Sequence, residues 1–219
     1  MSRADSESAL VTGYEVAEGL AIKGTTALAL GEMGIGNTTS ATAISAGILN
    51  LSVEDLTGPG AGLKEEGVAN KREVIASALE RVGNIWEDPL QILAEVGGFE
   101  IGALVGAILG GASARIALFV DGYVGTVAAL LARAFCPSAM DYCFPGHLST
   151  EPGHKLQLES LGWKPPIRVE MRLGEGIGAI LAMNIMRSAL RAFREMATFE
   201  EAGVSGRESN KLYPKKMEK

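Results

Sequence analysis

Two glutamates, each set among glycines behind a strand-like run, are the residues of this chain best suited to chemistry. The first lies in Gly31-Glu32-Met33-Gly34-Ile35-Gly36-Asn37-Thr38-Thr39, which follows the run Thr25 to Leu30. Glycines at 31, 34 and 36 leave backbone N–H groups unshielded. The Asn/Thr/Ser cluster behind them is expected to cap a helix whose N-terminus attracts negative charge, which makes the turn a candidate anion cradle. Gly31, Gly36 and Thr38 nearly spell the phosphate-loop pattern G-x-x-x-x-G-K-[ST], but Asn37 stands where the lysine would be. Without that charge a nucleoside triphosphate is a poor guest, and a monophosphate or carboxylate a better one. A strand-to-helix turn that binds nothing is the alternative reading. The second segment, Arg172-Leu173-Gly174-Glu175-Gly176-Ile177-Gly178-Ala179, repeats the design after the run Ile167 to Met171. In a parallel sheet, ligands bind where strands end and helices begin, so two such elbows can converge on one cleft although far apart in sequence. Both glutamates also suit the first turn of a helix, where the macrodipole favours a carboxylate whether or not it reacts.

The elements that must position these groups read as α/β. Strand-like runs at Thr25 to Leu30, Arg115 to Val120 and Ile167 to Met171 are set among helical stretches. These stretches are Ser6 to Leu20, Ser40 to Asn50, Glu65 to Val82, Asp88 to Val96, Ile101 to Gly110, Val124 to Phe135, Glu151 to Leu161 and Ile177 to Thr198. The expected architecture is a Rossmann-like parallel sheet flanked by helices, with part of a small helical domain. Residues 1–204 are expected to form one domain, followed by a polar, lysine-rich and disordered tail at 205–219. The Gly- and Ala-rich stretch Ala103 to Ala114 lets backbones approach closely and suits a buried or dimer-forming helix.

Several separate motifs then carry a family resemblance. GEMGIGNTTSATAISAGIL from Gly31, the GPGAGL turn at Gly58 to Leu63, Lys71, GGFEIGALVG from Gly97, VDGY at Val120 to Tyr123 and MRLGEGIGA from Met171 occur in one order. Together, from about Gly13 to Val204, they resemble the nicotinate-nucleotide:dimethylbenzimidazole phosphoribosyltransferases of cobalamin biosynthesis. The resemblance implies transfer of phosphoribose from nicotinate mononucleotide to 5,6-dimethylbenzimidazole, giving α-ribazole 5′-phosphate and nicotinate, with no cofactor. It implies Glu175 as the general base and Glu32 as a second active-site carboxylate. Gly60, Ala61, Gly62 and Lys71 match phosphate-side positions, and Asp121, Gly122 and Ser149 match others lining the nucleotide site. Gly34, Gly36, Asn37 and Leu173 complete the expected substrate-binding set. Without the resemblance, Lys71 reads as a solvated lysine on a charged helical face. The resemblance also implies a homodimer.

Relative to that family pattern, the chain is expected to lack a segment upstream of the first glutamate motif. The phosphoribose half of the site would then be present and the acceptor half supplied by another polypeptide or lost. A non-catalytic module that binds a nucleotide or a partner subunit is therefore the competing function.

With 47% hydrophobic and 21% charged residues, a net charge of −6 and a pI near 5.1, the composition is that of a globular chain and argues against nucleic acid. The apolar stretch Ile101 to Ala114 is too short to span a bilayer. Asp5 and Glu7 near the start do not suit a secretory signal, so the cytoplasm is expected. Cys136, Cys143, His147 and His154 invite a zinc site, but both like pairs are seven positions apart, unlike the two to four of structural zinc ligands. No metal is expected; two reduced thiols are the preferred reading, and the spacing also permits a disulfide.

Overall fold

Three short strands, Ala27–Leu30 (β1), Ala117–Val120 (β2) and Cys143–Pro145 (β3), pair in parallel in the order β1-β2-β3, with Leu30 opposite Val120 and Val120 opposite Pro145. They belong to a computed structural model that describes residues 1–204; the tail expected at 205–219 lies outside the described residues. A second parallel pair joins His147–Ser149 (β4) to Ile167–Met171 (β5). Parallel neighbours need long crossovers, and helices supply them. Between β1 and β2 run Asn37–Leu49 (α2), Val53–Leu56 (α3), Glu65–Val82 (α4), Pro89–Val96 (α5) and Phe99–Ser113 (α6). Tyr123–Phe135 (α7) follows β2, and Pro152–Ser160 (α8) links β4 to β5. Arg3–Ile22 (α1) opens the chain and Ile177–Glu195 (α9) follows β5.

The core explains this layering. Leu118, Phe119 and Val120 of β2 are buried, as is α7 from Tyr123 through Ala132, because the central strand and its crossover helix are covered on every side. Ile44 of α2, Ile75 of α4 and Ile101, Val105 and Ile108 of α6 complete the apolar cluster. On α6, Gly102, Gly106 and Gly110 recur every fourth residue and make a flat stripe against α1. A Cβ on Gly106 would overlap the carbonyl of Leu10, and one on Gly13 of α1 the carbonyl of Ala103. Two backbones in direct contact tolerate nothing larger.

The described chain divides into two compact units, residues 1–184 and residues from Ile185 onward. In the second, Arg191 Nε pairs with Glu195 Oε1 at 3.2 Å, and the backbone N–H of Thr198 donates to Glu201 Oε2 at 2.7 Å to shape the turn after α9.

The parallel sheets flanked by helices agree with the architecture read from sequence, and α4 and β5 have the expected bounds. Two details differ. β3 and β4 were not foreseen, because each is only three residues long and exists through its pairing with a distant strand. α2 begins at Asn37, not Ser40, and its N-cap is Gly36 in the left-handed region (φ 82°) with no side-chain capping bond. The Asn/Thr/Ser cluster therefore does not cap the helix; it forms its first turn.

Candidate active site

Four of the parallel strands bring their carboxyl ends to one cavity. Gly31 and Glu32 follow β1, Asp121 and Gly122 follow β2, and Ser149 ends β4. Arg172, Leu173 and Gly174 follow β5. The first turn of α2 (Asn37, Thr38) and the loop residues Gly60 and Ala61 complete the lining. The cavity measures about 160 Å³. That is below the roughly 300–1,000 Å³ of a drug-sized site, so it suits a fragment of sugar-phosphate size.

The two glutamate elbows meet backbone to backbone. A Cβ on Gly31 would overlap the N and Cα of Gly176, so only glycine at 31 lets them touch. Glu175 occupies the left-handed region (φ 58°), between Gly174 (φ 72°) and Gly176 (φ 83°), a cost of order 1–3 kcal/mol for a non-glycine residue. Asp121 holds this conformation from below. Its Oδ2 accepts the N–H of Gly176 at 2.8 Å. Its Oδ1 lies 3.2 Å from His147 Nδ1, at ion-pair distance but off the line of a hydrogen bond. Burial alone would push the Asp121 carboxyl up, yet His147 and the amides of Gly122 and Gly176 outweigh it and hold it below the usual range.

Glu32 is half-buried, and Asn37 Nδ2 donates a short hydrogen bond to its Oε2. Burial raises its pKa above the ordinary value; Asn37 opposes this, while the carboxylates of Glu100, Asp121 and Glu175 add to it. Glu175 itself is exposed and does not line the cavity wall, but its field reaches Glu32.

Behind Thr38 and Gly60, Lys71 of α4 is only 4% exposed, which removes the solvated-lysine reading. Its Nζ donates to Thr38 Oγ1 at 2.9 Å and to the carbonyl of Gly58 at 3.2 Å. Burial lowers its pKa and the nearby Glu151 carboxylate partly restores it. Lys71 thus acts on the cavity through Thr38 and the 58–62 loop without lining it. Gly36 and Gly62 do not line it either; their positive φ values, 82° and 112°, shape the two turns that do.

Sequence reasoning missed the cavity-lining side chains of Tyr123, Val124, His147, Glu151 and Arg172. The Tyr123 hydroxyl lies 3.0 Å from Thr42 Oγ1 and donates to the carbonyl of Leu56 at 3.3 Å; burial pushes its pKa up to about 12. His147 appeared only as a zinc candidate; its ring packs edge-on against that of His154 with centroids 6.0 Å apart. Cys136 is exposed and Cys143 buried, both as free thiols, and no metal-binding cluster occurs among the described residues. His154 is a structural hub. Its Nδ1 accepts the N–H of Ser149 at 2.9 Å, so the ring proton sits on Nε2 and is donated to Thr126 Oγ1 at 2.9 Å. Thr126 in turn donates to the carbonyl of Gly122 at 2.8 Å. The chain ties together two cavity-lining residues, Ser149 and Gly122.

Glycine turns, uncapped helix amides and two carboxylate elbows are gathered at the carboxyl ends of parallel strands, where ligands bind in folds of this class. The comparisons with known proteins agree. A family model described as a phosphoribosyltransferase matches residues 1–204, and the chain belongs to that family. The nicotinate-nucleotide–dimethylbenzimidazole phosphoribosyltransferase of Thermus thermophilus is 47% identical over 205 residues, covering 94% of this chain and 61% of the relative. Its namesake from Dehalococcoides mccartyi strain BAV1 is 43% identical over 209 residues, covering 95% and 59%. The crystal structure of CobT from Thermus thermophilus superposes with a TM-score of 0.89 at 47% identity, over 94% of this chain and 61% of that one. The chain thus spans about three fifths of the length of these relatives. Among the described residues no helix is long and apolar enough to cross a membrane.

Proposed function

We propose that this chain carries the phosphoribosyl-transfer site for moving phosphoribose from nicotinate mononucleotide to 5,6-dimethylbenzimidazole, yielding α-ribazole 5′-phosphate for the nucleotide loop of cobalamin. The observation that carries the reading is the contact of the Glu32 and Glu175 elbows beside a cavity also lined by Thr38, Gly60 and Ala61, with Lys71 behind them. Close relatives bearing that enzyme's name support it.

The geometry suits the chemistry. A pyridinium leaving group departs neutral and needs no acid. The attacking benzimidazole nitrogen becomes cationic on bonding to C1′ and must lose its other N–H proton, which a carboxylate within about 3 Å accepts. Glu175, exposed and next to the cavity-lining Gly174, takes it in this reading. Attack opposite the leaving group inverts the anomeric carbon from β to α through an oxocarbenium-like transition state. The carboxylates that crowd Glu32 resist further negative charge but welcome positive charge at the ring, so the field is strongest where the transition state needs it. Gly60, Ala61, Thr38 and the first-turn amides of α2 would hold the phosphate, with Gly34, Asn37, Asp121, Gly122, Ser149 and Leu173 around the nucleotide.

Residues 1–204 act as one domain in this reading, working in the cytoplasm as a homodimer. A size-exclusion mass of a single 22.9 kDa chain would remove the dimer. The decisive assay supplies nicotinate mononucleotide and dimethylbenzimidazole and follows nicotinate release. Turnover that falls at least about 10²-fold in Glu175→Gln supports the assignment, in line with loss of a general base. Undiminished turnover in that variant would remove Glu175 from the mechanism.

A further inference from the structure

Resting on the reading of the Thr38 and Gly60 wall as the phosphate end, we propose that Glu151 makes this end select the protonated monoanion of a phosphate monoester, by accepting the ligand's P–OH hydrogen. Fully ionised tetrahedral anions such as sulfate are then rejected.

Glu151 is the N-cap residue of α8, yet its side chain caps nothing. It is only 8% exposed and lines the same cavity as Thr38, Gly60 and Ala61. Its Oε2 is buried with no hydrogen-bond donor among the described residues. Gly58 makes the room: a Cβ there would overlap Oε2. The fold therefore sets a carboxylate in the wall of an anion cavity and gives one of its oxygens no donor. A buried acceptor left in that state is costly, so a ligand that brings its own donor is favoured over one that does not.

Charge decides which donor. Lys71 spends two N–H groups on Thr38 and Gly58, and its pKa is supported by Glu151, so ammonium and carboxylate offset each other at this end. The attraction left for an anion comes from uncapped amides of α2, and a fully ionised anion there brings no hydrogen for the donor-less Oε2 of Glu151. A phosphate monoester takes up a proton near pH 6, so near neutrality carrying one costs little and yields a charge-assisted O–H···O⁻ bond. Sulfate has no proton to give.

The other groups around the site do not substitute for this acceptor. Asp121 is committed to the Gly176 amide and stands beside His147. Glu32 is engaged by Asn37. Burial holds His154 of α8 neutral, with its pKa lowered to about 3, and Tyr123 of α7 stays un-ionised. Arg172 attracts any anion without discriminating, and Glu54 and Asp55 of α3 are exposed.

Titration calorimetry of the full chain with ribose 5-phosphate and with sulfate, in two buffers of different ionisation enthalpy, reads affinity and proton uptake together. The monoester is expected to bind at least about tenfold more tightly than sulfate, with proton uptake that grows as pH rises past the ligand's own pKa. Glu151→Gln, whose amide can donate to an ionised oxygen, should bring the two anions within about threefold and abolish the uptake. Equal affinities in the unaltered chain, or binding of ribose 5-phosphate without proton uptake, would overturn the proposal whether or not the variant folds. Such a result leaves the transfer reaction standing, since nicotinate release is measured separately. Binding of neither anion would overturn the phosphate end itself, and this inference with it.

Discussion

Glu32 owes its properties to neighbours that pull in opposite directions. Burial and the carboxylates of Glu100, Asp121 and Glu175 raise its pKa, and only the Asn37 hydrogen bond lowers it. If ionised Glu32 stabilises the cationic ring, activity is present above its pKa and is lost as pH falls through that value. Removing the one group that favours the charged form must move this acid limb upward. Asn37→Ala is therefore expected to shift the acid limb of kcat/KM for nicotinate mononucleotide to higher pH while leaving a plateau at alkaline pH, as a pH–rate profile will show. A uniform drop at every pH would mean that Asn37 serves only to bind. The glutamates were legible in the sequence because glycine-flanked carboxylates after strand-like runs advertise themselves. Glu151 and Tyr123 were not, because a buried polar side chain is explained only by partners distant in sequence, such as Gly58 and Leu56.

At the scale of elements, the site is held by polar ties between strand ends and helices. His154 of α8 reaches the end of β4 through Ser149 and the start of α7 through Thr126, which binds the Gly122 carbonyl. Burial, aided by the neighbouring His147, lowers its pKa from 6.5 to about 3. The sign follows from proton uptake: between those values the unfolded chain binds a proton at this residue and the folded chain does not. Its contribution to stability is thus fully present above pH 6.5 and is lost as pH falls toward about 3, at up to about 1.4 kcal/mol per pH unit. His154→Phe should flatten that stretch of the stability–pH curve in urea titrations. At neutral pH it should cost about 1–3 kcal/mol for the unpaired Ser149 N–H. An unchanged slope in the variant would show that other groups set the acid sensitivity. Periodicity made the long helices legible, α4 to the residue, whereas β3 and β4 carry too few residues to show any pattern, and β3 ends in proline. The helix-capping role expected of Asn37 to Ser40 failed for a related reason. Gly36 in a left-handed conformation starts α2 early, and that turn geometry outweighs side-chain propensity.

At the scale of the molecule, the candidate site depends on a glycine seam far from it in the chain. α1 and α6 approach so closely that Gly13, Gly102, Gly106 and Gly110 have no room for a methyl group without displacing the partner's backbone or side chains. α6 leads directly into β2, whose end carries Asp121, and Asp121 holds the Glu175 elbow through Gly176. Gly106→Ala gains helix propensity, worth about 1 kcal/mol in isolation. The added Cβ, however, falls on the Leu10 carbonyl, and backbone cannot rotate aside as a side chain would. Overpacking of this kind costs about 1–3 kcal/mol, so the substitution should lower stability on balance, by about 1–2 kcal/mol in a urea melt. Gly19→Ala provides the control, since a Cβ there meets nothing within 4 Å and the same gain in propensity should appear as net stabilisation. If Gly106→Ala were as stabilising as Gly19→Ala, the two helices would have to stand further apart in solution than the seam requires.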